Sequence, residues 1–196
     1  MPVRVVIAED EAIVRLDLKE ILEEEGYEVV GETGRGDDAV QLVRDLGPDL
    51  AILDIKMPGM DGLSAARDIT AEHRAAVLIL TAFSQRNLIE EARDAGALAY
   101  LIKPFQRNEL IPAIEVALAR FQELKALREE NQNLEDALET RRLVDRAKGR
   151  LMDDHGMKEK DAFTFIRSSA MQNRVTLKAI AQRIIDGDLG PGTGAA

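Results

Sequence analysis

Short apolar runs alternate with amphipathic stretches over the first half of the chain. Residues 3–8, 28–33, 49–54, 76–81 and 98–102 read as strands. Between them, residues 12–25, 37–46, 63–72 and 85–95 carry helical apolar spacing, and a further helix opens near 107. The first, third, fourth and fifth strands are near-continuous Val, Ile, Leu and Ala rather than alternating. Such runs mark strands buried on both faces, as in parallel sheets. Gly26 and Gly47-Pro48 stand where helices should stop.

Five strand–helix units predict an α/β domain with a doubly wound, five-stranded parallel sheet and right-handed crossovers. An all-α segment follows. No Gly or Pro occurs between Pro112 and Gly149, so the helix opening near 107 has no stop signal at the domain's edge. Leu124, Leu127, Asn131, Leu134 and Leu138 fall at a, d, a, d and a of two heptads. An Asn at one a position is a register-setting device of two-stranded coiled coils. The flanks are mixed: Glu123 can face Arg128 of a partner, but Glu130 would face Glu135. A dimerising helix and an intramolecular connector both remain open. Three helical patterns then run through Leu143–Met152, from Lys158 to Ala170, and from Thr176 to Ile184. The expected domains are 1–120, a helical linker at 121–140, a three-helix unit at 141–186 and a flexible tail at 187–196.

Charge separates the halves. The net charge is −10. Residues 1–120 hold 13 Lys/Arg against 23 Asp/Glu, whereas residues 141–183 hold 11 against 5. That asymmetry points to an acidic metal or signalling domain ahead of a basic output domain. The absence of Cys excludes disulfides, thiolate nucleophiles and zinc–thiolate sites. It fits a reducing cytoplasm. No signal peptide or membrane span is expected. His73 and His155 lie outside any metal-ligand or nucleophile spacing.

The chemistry lies at the strand ends. Asp10 follows the first strand, Asp54 ends the third, Thr81 ends the fourth and Lys103 follows the fifth. Each alone is an ordinary cap, turn or surface residue. All four at successive strand ends make a site, because ligands of open α/β sheets bind at the C-terminal strand ends. In a flavodoxin-like order of 2-1-3-4-5 the first and third strands are neighbours, which brings Asp10 and Asp54 together. Like charges that close call for a cation. An all-oxygen site with room for water suits Mg²⁺, with Asp10, Asp54 and the Lys56 backbone carbonyl as candidate ligands. A carboxylate beside Mg²⁺ can act as a nucleophile and form an aspartyl phosphate.

The segments Glu9-Asp10-Glu11, Asp54, Met57-Pro58-Gly59-Met60-Asp61-Gly62, Thr81-Ala82 and Lys103-Pro104-Phe105 together resemble the receiver domain of bacterial two-component response regulators. The resemblance covers about residues 1–120. It implies that Asp54 accepts phosphate from a sensor histidine kinase and that Glu9 and Asp10 are the metal-binding acids. It further implies a switch hydroxyl at Thr81, a switch aromatic at Tyr100, a phosphate-binding Lys103 and a cis Lys103–Pro104 peptide. Glu9 departs from the commoner Asp, and the extra methylene favours metal contact through water. Such a receiver catalyses only its own phosphotransfer and dephosphorylation, so no separate enzymatic output is expected.

A basic helical unit behind a signalling domain suggests nucleic acid. Arg142, Arg146, Lys148, Arg150, Arg167, Arg174 and Lys178 are the candidate RNA contacts. Phe163 and Phe165 are expected in the core. Ala147-Lys148-Gly149-Arg150-Leu151-Met152 and Ala162–Met171, with Leu177 and Ala181, are similar to the signature of the ANTAR domain. That family is a three-helix RNA-binding module of transcription antiterminators. Phe163 stands where the family commonly has Tyr. Gly149 inside a helix costs about 1 kcal/mol against Ala. Close helix packing or close approach of RNA would account for it. The implied function is a cytoplasmic regulator that binds hairpins in nascent transcripts, with a homodimer favoured by phosphorylation. The alternatives are a DNA-binding regulator with a helix in the major groove and a protein-interaction adaptor.

Overall fold

The computed structural model describes residues 1–82 and 86–191. The expected helix start at 85 and the tail residues 192–196 lie outside these. Five strands, β1 (Arg4–Ala8), β2 (Glu28–Thr33), β3 (Leu50–Asp54), β4 (Ala76–Thr81) and β5 (Ala99–Ile102), pair in parallel in the order β2-β1-β3-β4-β5. This is the flavodoxin-like sheet. Helices α1 (Ala12–Glu24), α2 (Gly36–Leu46), α3 (Gly62–Ala71) and α4 (Arg86–Asp94) make the crossovers, and α5 (Arg107–His155) follows β5.

Alternate residues of the strands feed two cores. Val6, Ala8, Ala51, Leu53, Val77 and Ile79 pack with buried residues of α2, α3 and α4. Val5, Ile7, Leu50, Ile52, Leu78 and Leu80 pack with Leu18 and Leu22 of α1 and with Leu110, Ile114 and Ala117 of α5. Covering on both faces explains why every residue of β3 and β4 is buried.

The chain divides into two compact units, residues 1–126 and 127–196, and α5 contributes to both. One uninterrupted helix of 49 residues thus runs from the receiver through the linker, as the missing stop signals imply, and on into the first helix of the C-terminal unit. Gly149 does not break it, because a single interior glycine weakens a helix without preventing it. In the second unit, Val144, Ala147 and Leu151 of α5 pack against Ala162, Ile166 and Ala170 of α6 (Glu159–Asn173) and Ile180, Ala181 and Ile184 of α7 (Leu177–Asp186). Thr176 caps α7 by accepting from the Ala179 N–H at 3.2 Å.

Two expectations need correction here. Phe163 is not a core residue: it is 42% exposed. The buried row of α6 runs through Ala162, Ile166, Ser169 and Ala170, and Phe163 sits a third of a turn off it. Phe165 does pack partly against the core. The segment from 187 is not a free tail throughout, since Leu189 packs on the same core and Gly190 is buried. Among the described residues, no helix is long and apolar enough to cross a membrane.

Candidate functional site

The β1–β3 register sets Ala8 beside Leu53, so the residues that follow each strand emerge side by side. Ligand oxygens of Glu9, Asp10 and Asp54 lie within 4.8 Å of one another. Glu9 is fully buried, Asp54 is 4% exposed, and Asp10 faces solvent. Thr81, 1% exposed, ends β4, the strand that pairs with β3. Lys103 follows β5, and its backbone N–H donates to the Thr81 carbonyl at 2.7 Å. The Lys103–Pro104 peptide is cis.

Lys103 organises the cluster. Its ammonium lies 2.9 Å from Glu9 Oε2, 3.0 Å from Asp54 Oδ1 and 3.9 Å from Glu11 Oε1. The Lys56 N–H donates to Asp54 Oδ2 at 3.2 Å, and the Glu11 N–H donates to Glu9 Oε1 at 3.2 Å. Burial pushes the Glu9 and Asp54 carboxyls above the ordinary carboxylate range; Lys103 pulls both back, and the Asp54 charge (on Glu9) and the Asp10 charge (on Asp54) add to the rise. Burial would lower the Lys103 ammonium, but its hydrogen bonds to Glu9 and Asp54 outweigh it and hold the pKa high.

The donor set fits a hard divalent cation. Three carboxylates converge on one small volume, and a single ammonium leaves their charge uncompensated. Mg²⁺ suits such oxygens and retains waters. Glu9 spends both oxygens on Lys103, at 3.1 and 2.9 Å, so Asp10 and Asp54 are the residues placed to ligate directly. Lys56 sits in the loop two residues after Asp54, and Tyr100 is half-buried on β5 beside Ile79.

The loop from Asp54 to α3 is held tightly against the site. A Cβ at Gly62 would fall 1.9 Å from the Asp54 carbonyl oxygen, so only glycine fits there. Asp61 caps α3 by accepting from the Ser64 N–H at 2.8 Å. One residue of the site escapes sequence reasoning. Arg15 on α1 donates to the Glu9 backbone carbonyl at 2.5 Å and braces the turn that carries the acids. Its only sequence signal is a position one helical turn past Glu11.

The seven candidate RNA contacts divide by their partners. Lys148 bridges Asp145 at 2.8 Å and Glu159 at 2.9 Å. Arg150 donates to the Ile185 carbonyl near the end of α7 and pairs with Asp154 at 3.1 Å. Lys178 pairs with Glu139. These three tie the bundle together, a role invisible to a count of charges. Arg142, Arg146, Arg167 and Arg174 are exposed and form no ion pair among the described residues. The exposed leucines Leu127, Leu134 and Leu138 are 56%, 56% and 57% accessible.

Comparison with known proteins fits both units. The response regulator receiver domain model matches residues 5–115, and the ANTAR domain model matches residues 132–185. The transcriptional regulatory protein PdtaR of Mycobacterium tuberculosis is 54% identical over 186 residues, covering 95% of this chain and 91% of that protein. The chemotaxis protein CheY of Thermotoga maritima is 38% identical over 57% of this chain and 93% of its own length. Among solved structures, the signal receiver domain of the response regulator NarL from Mycobacterium tuberculosis superposes with a TM-score of 0.58. It is 31% identical and covers 60% of this chain and 97% of that one. CheY in a complex with CheX, BeF₃ and Mg²⁺ from Borrelia burgdorferi gives a TM-score of 0.56 at 25% identity, over 58% of this chain and 87% of that one. With its strand-end acids, its lysine and its helical C-terminal unit all in place, the chain belongs to the two-component response regulators, as a receiver domain followed by an ANTAR output domain.

Proposed function

We propose that this protein is a phosphorylation-controlled RNA-binding regulator whose output domain causes transcription antitermination. The observation that carries the first half is the buried Asp54 carboxylate, 3.0 Å from Lys103 and within 4.8 Å of two further carboxylates. An Asp54 oxygen attacks the phosphorus of a phosphohistidine on a sensor kinase. The P–O bond forms as the P–N bond breaks, and the imidazole leaves. Lys103 offsets the charge gathering on the equatorial oxygens. Mg²⁺, held by Asp10, Asp54 and the Lys56 carbonyl, would neutralise the same charge when bound. Water later cleaves the acyl phosphate, and the receiver performs no chemistry beyond its own transfer and hydrolysis.

Phosphate on Asp54 adds charge and acceptor oxygens beside the Thr81 hydroxyl. Thr81 moves toward it, Tyr100 follows into the vacated space, and the face of α4, β5 and α5 changes. The output domain feels the change through α5. Leu124, Leu127, Leu134 and Leu138, all exposed, offer a seam for a second copy once the receiver is phosphorylated. The ANTAR family and the exposed arginines Arg142, Arg146, Arg167 and Arg174 support hairpins in nascent transcripts as the ligand. The protein acts in the cytoplasm, where transcripts are made.

One observation favours a second reading, a protein-interaction adaptor: Lys148, Arg150 and Lys178 already have internal partners, which trims the basic surface. The two separate on RNA binding with and without beryllofluoride and Mg²⁺. Salt-sensitive hairpin binding that strengthens with the phosphate mimic is expected. Absence of hairpin binding in both states would move the output to a protein partner, and preference for duplex DNA would move it to a promoter.

A further inference from the structure

Gly149 lies inside α5, and the protein's own packing does not explain the choice of glycine there. A Cβ built there meets nothing within 4 Å, and its backbone is not left-handed. Packing between helices is therefore not the reason for the glycine. An alanine would fit and would make the better helix. The open space is left for something outside the unit.

The surroundings identify it. On a 3.6-residue helix, Arg142, Arg146 and Gly149 share one face, spaced four and three residues apart. Both arginines are exposed and unpaired among the described residues, while Lys148 and Arg150 to either side are turned to internal partners. Two free guanidinium groups flanking a bare stretch of helix backbone complement a phosphate chain lying close against it. A second copy is a poorer fit. The leucine seam's heptad continues from Leu138 into Arg141, Asp145 and Lys148, so the apolar seam ends a turn before this face. A symmetric pairing here would also set like-charged arginines against each other.

We infer that Arg142, Arg146 and Gly149 form a backbone-approach site for RNA, in which the missing side chain lets the sugar–phosphate chain reach the helix surface. This rests on the RNA-binding reading above and locates the contact within it. Asp153, the next residue along that face, bounds the site with its negative charge.

The test uses full-length protein carrying G149A or G149L, and separately R142Q and R146Q. Thermal melts accompany binding to RNA hairpins selected from a randomised-loop pool by the unsubstituted protein. G149A is expected to melt higher than the unsubstituted protein and to bind at least tenfold more weakly, and G149L more weakly still. Each Gln variant should lower the steepness of the salt dependence. Alanine and leucine are both good helix formers, so a graded loss reports on space rather than on helix stiffness. Unchanged hairpin binding by G149L would overturn the site while leaving RNA binding intact. Altered self-association with unaltered RNA affinity would assign the face to a second copy and also overturn it. Failure of the unsubstituted protein to select any hairpin would remove the RNA reading and the site together.

Discussion

At the scale of single residues, the strand-end cluster was largely legible. Asp10, Asp54, Thr81 and Lys103 announce themselves because strand ends converge in an open parallel sheet. What each residue touches was not legible. Glu9 pairs with Lys103 through both oxygens across 94 residues of chain, and Arg15, six residues on, braces its carbonyl; periodicity reveals neither contact. Asp54→Asn should keep the fold and lose phosphorylation; acid-labile phosphate on that variant would contradict the assignment. Lys103→Ala strands two buried carboxylates and should destabilise the receiver by about 3–5 kcal/mol at pH 7, read by urea denaturation. The pH dependence follows from the raised Glu9 and Asp54 pKa values. Their stabilising contribution is complete below the ordinary carboxylate values of about 4 and is lost as pH rises through the raised ones. Metal-free protein should therefore gain stability as pH falls through the raised values. Mg²⁺ should raise the melting temperature more at pH 7 than at pH 5, and an equal effect at both would speak against the acidic cluster as its site.

At the scale of elements, period and punctuation located every strand and helix of the sheet within a residue or two. Caps explain the ends. Asp61→Ala removes the α3 cap and should cost about 1 kcal/mol. Burial of Asp61 is outweighed by its bonds from Ser64 and Leu63, which hold its pKa below the ordinary value. That stability is present above the unfolded value and fades as pH falls below about 4, the opposite trend to Glu9 and Asp54. The output helices were harder to read. Lys148, Arg150 and Lys178 look like ligand contacts in sequence, but Asp145, Glu159, the α7 carbonyls and Glu139 claim them. Phe163 looks like core because hydrophobicity does not reveal which side of α6 a residue occupies. Leu127, Leu134 and Leu138 are exposed, so their triple replacement by Ala should leave the monomer melting curve nearly unchanged and abolish self-association of the phosphorylated protein in light scattering.

At the scale of the whole molecule, an acidic receiver and a helical output unit share one helix, α5, from Arg107 to His155. The sequence pattern already lacked any stop between Pro112 and Gly149. On the proposed reading, the helix common to both units gives a switch at Thr81 and Tyr100 a covalent route to the output domain. Such a coupling can change output affinity only by as much as phosphate discriminates between the two states. Couplings of about 1–3 kcal/mol correspond to roughly 5–150-fold in affinity. The most direct test is hairpin-RNA affinity of the full chain with and without beryllofluoride and Mg²⁺, over a salt series, alongside Asp54→Asn. The expected result is salt-steep binding that tightens at least fivefold with the mimic and does not respond to it in the Asp54 variant. Binding that ignores the mimic in the unsubstituted protein would contradict phosphorylation control of RNA recognition.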